Sequence, residues 1–218
     1  MVRFENLSKS FRVLGRRKMV IDRVNFTLPT GRTLALLGRN GSGKSTLLGL
    51  IAGTIRPDSG RIVSNGSISW PVGLGGAFHP ELTGAQNVRF LARVYGVETE
   101  ALMAFVEDFS ELGQQFHMPL RSYSTGMRSR LVFGAAMGIR FDTYLVDEVT
   151  AVGDAAFRRK SRAVFRHRVA NRTAVMVSHN MRDIRDYCDA ALILEDGRLT
   201  YFEDIDTAIR QHEARLTA

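Results

Sequence analysis

Eight consecutive residues carry the clearest chemical signal in the chain. Gly38-Arg39-Asn40-Gly41-Ser42-Gly43-Lys44-Ser45 fills every fixed position of the pattern G-x-x-x-x-G-K-[ST]. Such a loop binds phosphate: its glycines let the backbone wrap an anion, and its amide N–H groups converge on one concavity. The lysine ammonium reaches the β- and γ-phosphates, and the serine hydroxyl ligates Mg²⁺. The pattern functions only between a strand and a helix. Thr33-Leu34-Ala35-Leu36-Leu37 is an apolar run suited to a buried parallel strand, and Thr46-Leu47-Leu48-Gly49-Leu50-Ile51 continues as a helix. Residues Gly38 to Thr46 are therefore predicted to hold a nucleoside triphosphate.

A second cluster lies far downstream. Phe141-Asp142-Thr143-Tyr144-Leu145-Val146-Asp147-Glu148 reads as an apolar strand ending in two adjacent carboxylates. Asp147 at the strand tip suits Mg²⁺, held through its water shell. Glu148 faces the opposite side and suits an attacking water that must be oriented and polarised. An exposed acidic pair closing a strand is the bland alternative; beside a phosphate loop the active-site reading is favoured. Two further segments complete the set. Tyr123-Ser124-Thr125-Gly126-Met127 stands just ahead of a helix, where a hydroxyl and backbone amides suit an anion. Val175-Met176-Val177-Ser178-His179 ends another strand in a histidine.

The elements that must position these residues alternate along the chain. Short β-like runs at Val2–Leu7 and Val24–Leu28 flank a basic turn at Gly15-Arg16-Arg17-Lys18. Pro57-Asp58-Ser59-Gly60 is a turn signal, followed by strands at Arg61–Val63 and Ser67–Trp70. From Thr83 to about Arg140 the period becomes helical, with Val88, Leu91, Ala92 and Tyr95 on one face and Leu102, Phe105, Val106 and Phe109 on another. Buried strands follow at Tyr144–Val146, Ala174–Val177 and Ala190–Leu194, with helices at Ala155–Val169 and Met181–Tyr187. Asp196-Gly197 turns into a last strand before a polar C-terminal helix. The plan is an α/β core split by a helical insert.

Over essentially its full length the sequence resembles an ATP-binding cassette (ABC) ATPase. The resemblance implies a P-loop NTPase core of that type with an antiparallel β subdomain and an inserted α-helical subdomain. Residues 1–218 then form a single nucleotide-binding domain, with the helical subdomain at about 83–140. Tyr123–Met127 matches the family signature, usually LSGGQ, which binds the γ-phosphate of the nucleotide held by the other protomer; Ser124, Thr125, Gly126 and Met127 fall at its positions. His179 matches the switch histidine that contacts the γ-phosphate and positions water, although a lone histidine is more often structural. Phe11 matches the aromatic that stacks on adenine, with an ordinary core phenylalanine as the alternative. Gly153 and Asp154 match the loop crossing the dimer interface. The resemblance thus implies ATP and Mg²⁺ as cofactors, with Glu148, His179 and Lys44 catalytic and Ser45 and Asp147 at the metal.

Three departures narrow the resemblance. The signature reads YSTGM, the acidic pair continues Val149-Thr150-Ala151-Val152-Gly153-Asp154, and Ser69–Phe78 has no glutamine where the family places its coupling residue, Gln86 lying too far on. Together with Ser69-Trp70-Pro71 and Leu82-Thr83-Gly84, these features are similar to the ATPase subunits of bacterial polysaccharide exporters, above all those of capsular polysaccharide. O-antigen and teichoic-acid exporters share much of the pattern. The resemblance implies a homodimer, an integral-membrane permease contacted through Gly73–Phe78 and the helical insert, a wider cell-envelope export machinery and a polysaccharide cargo. Trp70, the single tryptophan, suits a docking surface or glycan passage, or equally a packed interior.

Composition bounds the alternatives. Hydrophobic residues are 44% and charged residues 24% of the chain, as in ordinary globular domains. The apolar runs are too short to span a bilayer, and the first residues lack a signal-peptide core. The single cysteine, Cys188, excludes an internal disulfide and fits a reducing cytoplasm. The expected location is therefore the cytoplasmic face of the bacterial inner membrane, peripheral and held by the permease. Net charge is +8, densest at Phe157–Arg168, where the basic residues surround a helix rather than form a stripe. A solvated helix is favoured there, and no nucleic acid is expected. Two rivals differ in kind: an ABC ATPase acting on nucleic acid or ribosomes, and a regulatory subunit that binds nucleotide without turnover.

Overall fold

Strands β1 (Val2–Val13) and β2 (Arg16–Thr27) open the chain as a long antiparallel hairpin. The computed structural model describes residues 1–13, 15–72, 78–147 and 154–217. Both strands outrun the short runs expected from sequence, and Arg16, Arg17 and Lys18 belong to β2 rather than to a turn. The reason is exposure: burial in β2 begins only at Val20, so the outer end of the hairpin carries no apolar alternation to betray it.

β3 (Thr33–Leu37) is buried throughout and leads through residues 38–43 into α1 (Lys44–Ile51). β4 (Ser59–Ser64) returns to the free side of β1, giving a three-stranded antiparallel sheet in the order β2-β1-β4. β5 (Ile68–Val72) joins a second sheet. The helical stretch consists of α2 (Gly84–Val94), α3 (Thr99–Ser110), two short 3₁₀ segments at Gly113–His117 and Leu120–Ser122, and α4 (Thr125–Gly138). Thr83 caps α2 in a reciprocal box with Gln86. Then follow β6 (Thr143–Asp147), α5 (Ala155–Val169), β7 (Thr173–Val177), α6 (Met181–Tyr187), β8 (Ala190–Glu195), β9 (Arg198–Phe202) and α7 (Ile205–Thr217).

Among the described residues the second sheet has six strands in the order β5-β6-β7-β3-β8-β9. Its four inner strands run parallel, and β9 returns antiparallel to β8. Their near-continuous Val, Leu, Ile and Ala content is what a parallel sheet covered on both faces requires. By internal contacts the chain divides into two compact units. The first comprises Met1–Pro71, Phe141–Asp147 and Val169–Ala218, and the second Val72–Arg140 and Glu148–Arg168. In the first, Leu34, Leu36, Leu48, Leu145, Val175 and Leu192 share one core with Phe4, Leu7 and Ile21 of the three-stranded sheet.

In the second unit Phe109 stacks on Phe133 and meets Phe157 edge-on at 5.3 Å. Val88, Leu91 and Ala92 are buried as expected, whereas Tyr95 is 37% exposed. The helix ends at Val94 with Tyr95 as its C-cap, so the apolar face is not continued through that position. Among the described residues no helix is long and apolar enough to cross a membrane.

Candidate functional site

The phosphate loop owes its shape to two glycines that no other residue could replace. Gly38 has φ 151°, and a Cβ there would lie 2.5 Å from the Leu194 carbonyl oxygen. Gly43 has φ 108°, and a Cβ there would lie 2.0 Å from Val20 Cγ1 of β2. Strand β2 thus presses against the loop at its entry into α1. The first turn of α1 has no side-chain cap, so its leading N–H groups point at the hollow without a side-chain acceptor. Lys44 Nζ donates to the carbonyls of Gly38 (2.7 Å) and Arg39 (3.2 Å), while Ser42 N–H donates to Arg39 O (3.1 Å). Ser42 Oγ is buried without a hydrogen-bond partner among the described residues. An uncapped helix start, an unsatisfied hydroxyl and a lysine folded onto the loop all fit a phosphate group. Arg39, Asn40, Gly41 and Ser45 lie exposed on the rim, with Thr46 half-buried behind them.

The parallel strands bring other candidates to the same edge. Asp147 pairs in register with Val177 and Val146 with Met176, and Met176 in turn pairs with Ala35. The C-terminal ends of β3, β6 and β7 are therefore level, which puts residue 38, Asp147 and the Ser178-His179 step at one rim of the sheet. Ligands of open α/β sheets bind at this end. β6 stands two places from β3, about 10 Å at normal strand spacing. Asp147 is half-buried and His179 exposed. Glu148 lies outside the described residues, as does Gly153. For a metal, Ser45 and Asp147 offer hard oxygen donors at this rim, and the described residues contain no cluster of three or more His, Cys, Asp or Glu that could hold an ion. Two protein oxygens with the remainder supplied by phosphates and water is how Mg²⁺ is ordinarily held, so the residues fit it.

Phe11 is 41% exposed, which removes the core alternative. Lys9 Nζ sits 5.3 Å from its ring centroid. The strand carrying it is anchored by Asp58. One Asp58 oxygen accepts from Ser10 Oγ (2.6 Å) and Ser10 N–H (2.8 Å), and the other accepts from Lys9 Nζ (2.9 Å). The Ser10 hydroxyl bond, followed by that of Lys9, pulls the Asp58 carboxyl down to about 2. On β2, Lys18 Nζ donates to Gly41 O (3.0 Å). On α7, His212 is buried; burial and then the positive charge of Lys44 push its imidazole toward the neutral form.

The remaining candidates lie in the second unit. Ser124 is the N-cap of α4 and its Oγ accepts from Met127 N–H (3.2 Å), with Thr125 and Gly126 exposed. Tyr123 Oη donates to Gln115 O (2.6 Å) and lies so near Gly84 that a Cβ there would be 2.4 Å away. Asp154 starts α5, accepting from the N–H groups of Ala156 and Phe157, and pairs with Arg130 at 3.2 Å. Its carboxyl is held below the usual range, first by the Phe157 amide. Arg130 also lies 4.2 Å over the Phe157 ring, which ties α4 to α5.

Trp70 is buried and meets Phe141 edge-on at 5.7 Å, so packing rather than a docking surface is its place. Of the expected permease loop, Gly73–Ala77 lie outside the described residues. On α5, Arg158, Arg159, Arg166 and His167 are exposed around the helix, with Phe157 and Phe165 buried. Sequence reasoning missed Lys18, Asp58 and Arg130. Asp58 was legible only as part of a turn, and nothing local distinguishes Lys18 from its basic neighbours.

Residues 21–151, well over half of the chain, match the family model described as ABC transporter. The chain is 46% identical to the polysialic acid transport ATP-binding protein KpsT of Escherichia coli, over 98% of this chain and 96% of that protein. It is 40% identical to the capsule polysaccharide export ATP-binding protein CtrD of Neisseria meningitidis serogroup B, over 98% and 99%. The ATP-binding cassette MJ0796, solved as a dimer in a post-hydrolysis state with ADP and phosphate, superposes with a TM-score of 0.80. That match covers 94% of this chain and 99% of that one at 20% identity, and it speaks for the fold. A P-loop rim on a parallel sheet, an antiparallel β sheet, a helical unit and these likenesses agree: the chain belongs to the ABC transporter family.

Proposed function

We infer that this chain is the ATP-hydrolysing subunit of an exporter that drives capsular polysaccharide across the bacterial inner membrane through a separate membrane-spanning partner. The observation that carries the reading is the shared rim of the phosphate loop, Asp147 and His179, in a chain that aligns end to end with capsule-export ATP-binding proteins.

ATP lies with its adenine on Phe11 and its phosphates in Gly38–Thr46. Lys44 exchanges the Gly38 and Arg39 carbonyls for phosphate oxygens, and the α1 N–H groups and Ser42 hydroxyl gain the acceptors they lack. Ser45 and Asp147 would hold Mg²⁺, which would supply neutralisation of charge on the phosphates. His179 contacts the γ-phosphate and Glu148 orients the water for in-line attack, so that positioning and electrostatics supply most of the rate. Ser124–Met127 of one protomer meets the γ-phosphate on the loop of its partner, and Gly153-Asp154 lies at that interface. Loss of the γ-phosphate then reopens the dimer and moves the permease. The protein is peripheral at the cytoplasmic membrane face.

Phosphate release from ATP by the purified chain, alone and with membranes containing its permease, tests this reading. Turnover that Glu148→Gln abolishes is expected. No turnover in either setting would leave a non-catalytic nucleotide-binding subunit, and co-purification with RNA or DNA instead of membranes would point to the nucleic-acid rival.

A further inference from the structure

We propose that Lys18 is a nucleotide contact, its ammonium receiving the α-phosphate of the nucleoside triphosphate between the Phe11 ring and the phosphate loop. The proposal rests on the reading that Phe11 and residues 38–46 hold ATP, and it adds a residue that no motif assigns. Three observations carry it. First, the hairpin register pairs Phe11 directly with Lys18, whereas Ser10 pairs with Met19 and Arg12 with Arg17. Directly paired residues in an antiparallel ladder share a face, with Cβ atoms about 5 Å apart. Second, the Lys18 side chain extends from beside that ring to the loop, ending 3.0 Å from Gly41 O. Third, Val20 packs against Gly43, so the stretch from Lys18 to Val20 runs along the loop itself. A register shift between Lys9 and Ser10 leaves Val20 as the extra residue of β2, the same residue that meets Gly43.

Arg17, by contrast, is committed elsewhere: its Nε donates to Ser10 Oγ (2.9 Å) in the group that anchors β1 on Asp58. Lys18 is left spanning the gap between the two places where a nucleotide must be held. A molecule with its base on Phe11 and its β- and γ-phosphates in the loop must lay its ribose and α-phosphate across that gap. An ammonium whose acceptor is a neutral carbonyl on an exposed rim gains by taking an anionic oxygen instead, since charge-assisted bonds are the stronger. Lys18 would therefore turn from Gly41 O to the α-phosphate without moving its backbone.

The alternative role is a brace, with Lys18 merely steadying the loop through Gly41. Two substitutions separate the roles. Lys18→Gln keeps a donor for Gly41 O but removes the charge; Lys18→Arg keeps the charge. Calorimetric titration with ATP and with ADP, both with Mg²⁺, should find Lys18→Gln weakened about ten-fold for each nucleotide and Lys18→Arg within about two-fold of the parent. Thermal melting of the nucleotide-free protein should be the same for all three. Parent-like binding by Lys18→Gln would overturn the proposal, and so would equal weakening of both variants, which would mark a packing role. A loss confined to ATP with ADP spared would move the contact to the γ-phosphate and overturn the α-phosphate assignment. Failure of the parent protein to bind ATP would bring down the reading beneath the proposal, and the proposal with it.

Discussion

In the first unit the phosphate loop is shaped by backbone constraint, with Gly38 and Gly43 wedged against Leu194 O and Val20, an uncapped helix behind it and Lys44 laid across its carbonyls. The YSTGM segment in the second unit is built otherwise. Its single capping hydroxyl, Ser124 Oγ, already accepts from Met127 N–H, and its tyrosine is fastened to Gln115 O. That segment offers a firmly held helix start, which under the proposed function supplements a phosphate bound on the partner protomer. The contrast accords with the proposed two-protomer ATPase, in which one surface captures nucleotide and the other meets its γ-phosphate from the partner.

The contrast can be broken at its strong end first. Lys44→Ala should lower ATP affinity by at least about a hundred-fold, because a charge-assisted contact to two phosphates is lost; equilibrium binding of a fluorescent ATP analogue checks it. Next, Ser124→Arg should leave the monomer's ATP affinity within about two-fold, because the proposed contact of this segment is with the partner's nucleotide. The ATP-dependent dimer should vanish in size-exclusion chromatography of a hydrolysis-deficient background, and a persisting dimer would exclude YSTGM as the contact in trans. A smaller effect is expected from Tyr123→Phe, which removes one hydrogen bond from a half-buried hydroxyl. The cost should be about 1 kcal/mol, or about 2–4 °C in melting temperature for a chain of this size.

The smallest effect concerns Asp58. Its folded carboxyl titrates at about 2, below the 3.8 of a free aspartate. A lowered folded pKa stabilises above the unfolded value and ceases to do so as pH falls through the folded one. The melting gap between the parent and Asp58→Asn should therefore be fully open at about pH 5 and close toward about pH 2. A gap independent of pH would remove the charged anchor of the Phe11 strand.

The elements legible in the sequence were those whose residues are forced. The loop announces itself because its backbone geometry admits few residues. The bounds of α5 and α6 follow from their neighbours, and β3, β6, β7 and β8 are apolar because both faces are covered. What stayed hidden depends on partners distant in sequence. Helical periodicity from Thr83 to Arg140 does not reveal the two 3₁₀ segments around Pro119, and Trp70 could be placed only once Phe141 was beside it. The pairing of Phe11 with Lys18 depends on a hairpin end too exposed to carry an apolar pattern.

Under the proposed function, ATP turnover by this chain moves a glycan. The most direct measurement is the location of polysaccharide in the native bacterium carrying Glu148→Gln, surface against interior. Loss of one polymer from the surface with its accumulation inside is the predicted result, and it would name the cargo and separate capsule from O-antigen or teichoic acid. An unchanged surface, with the variant present and catalytically dead, would contradict export as the function.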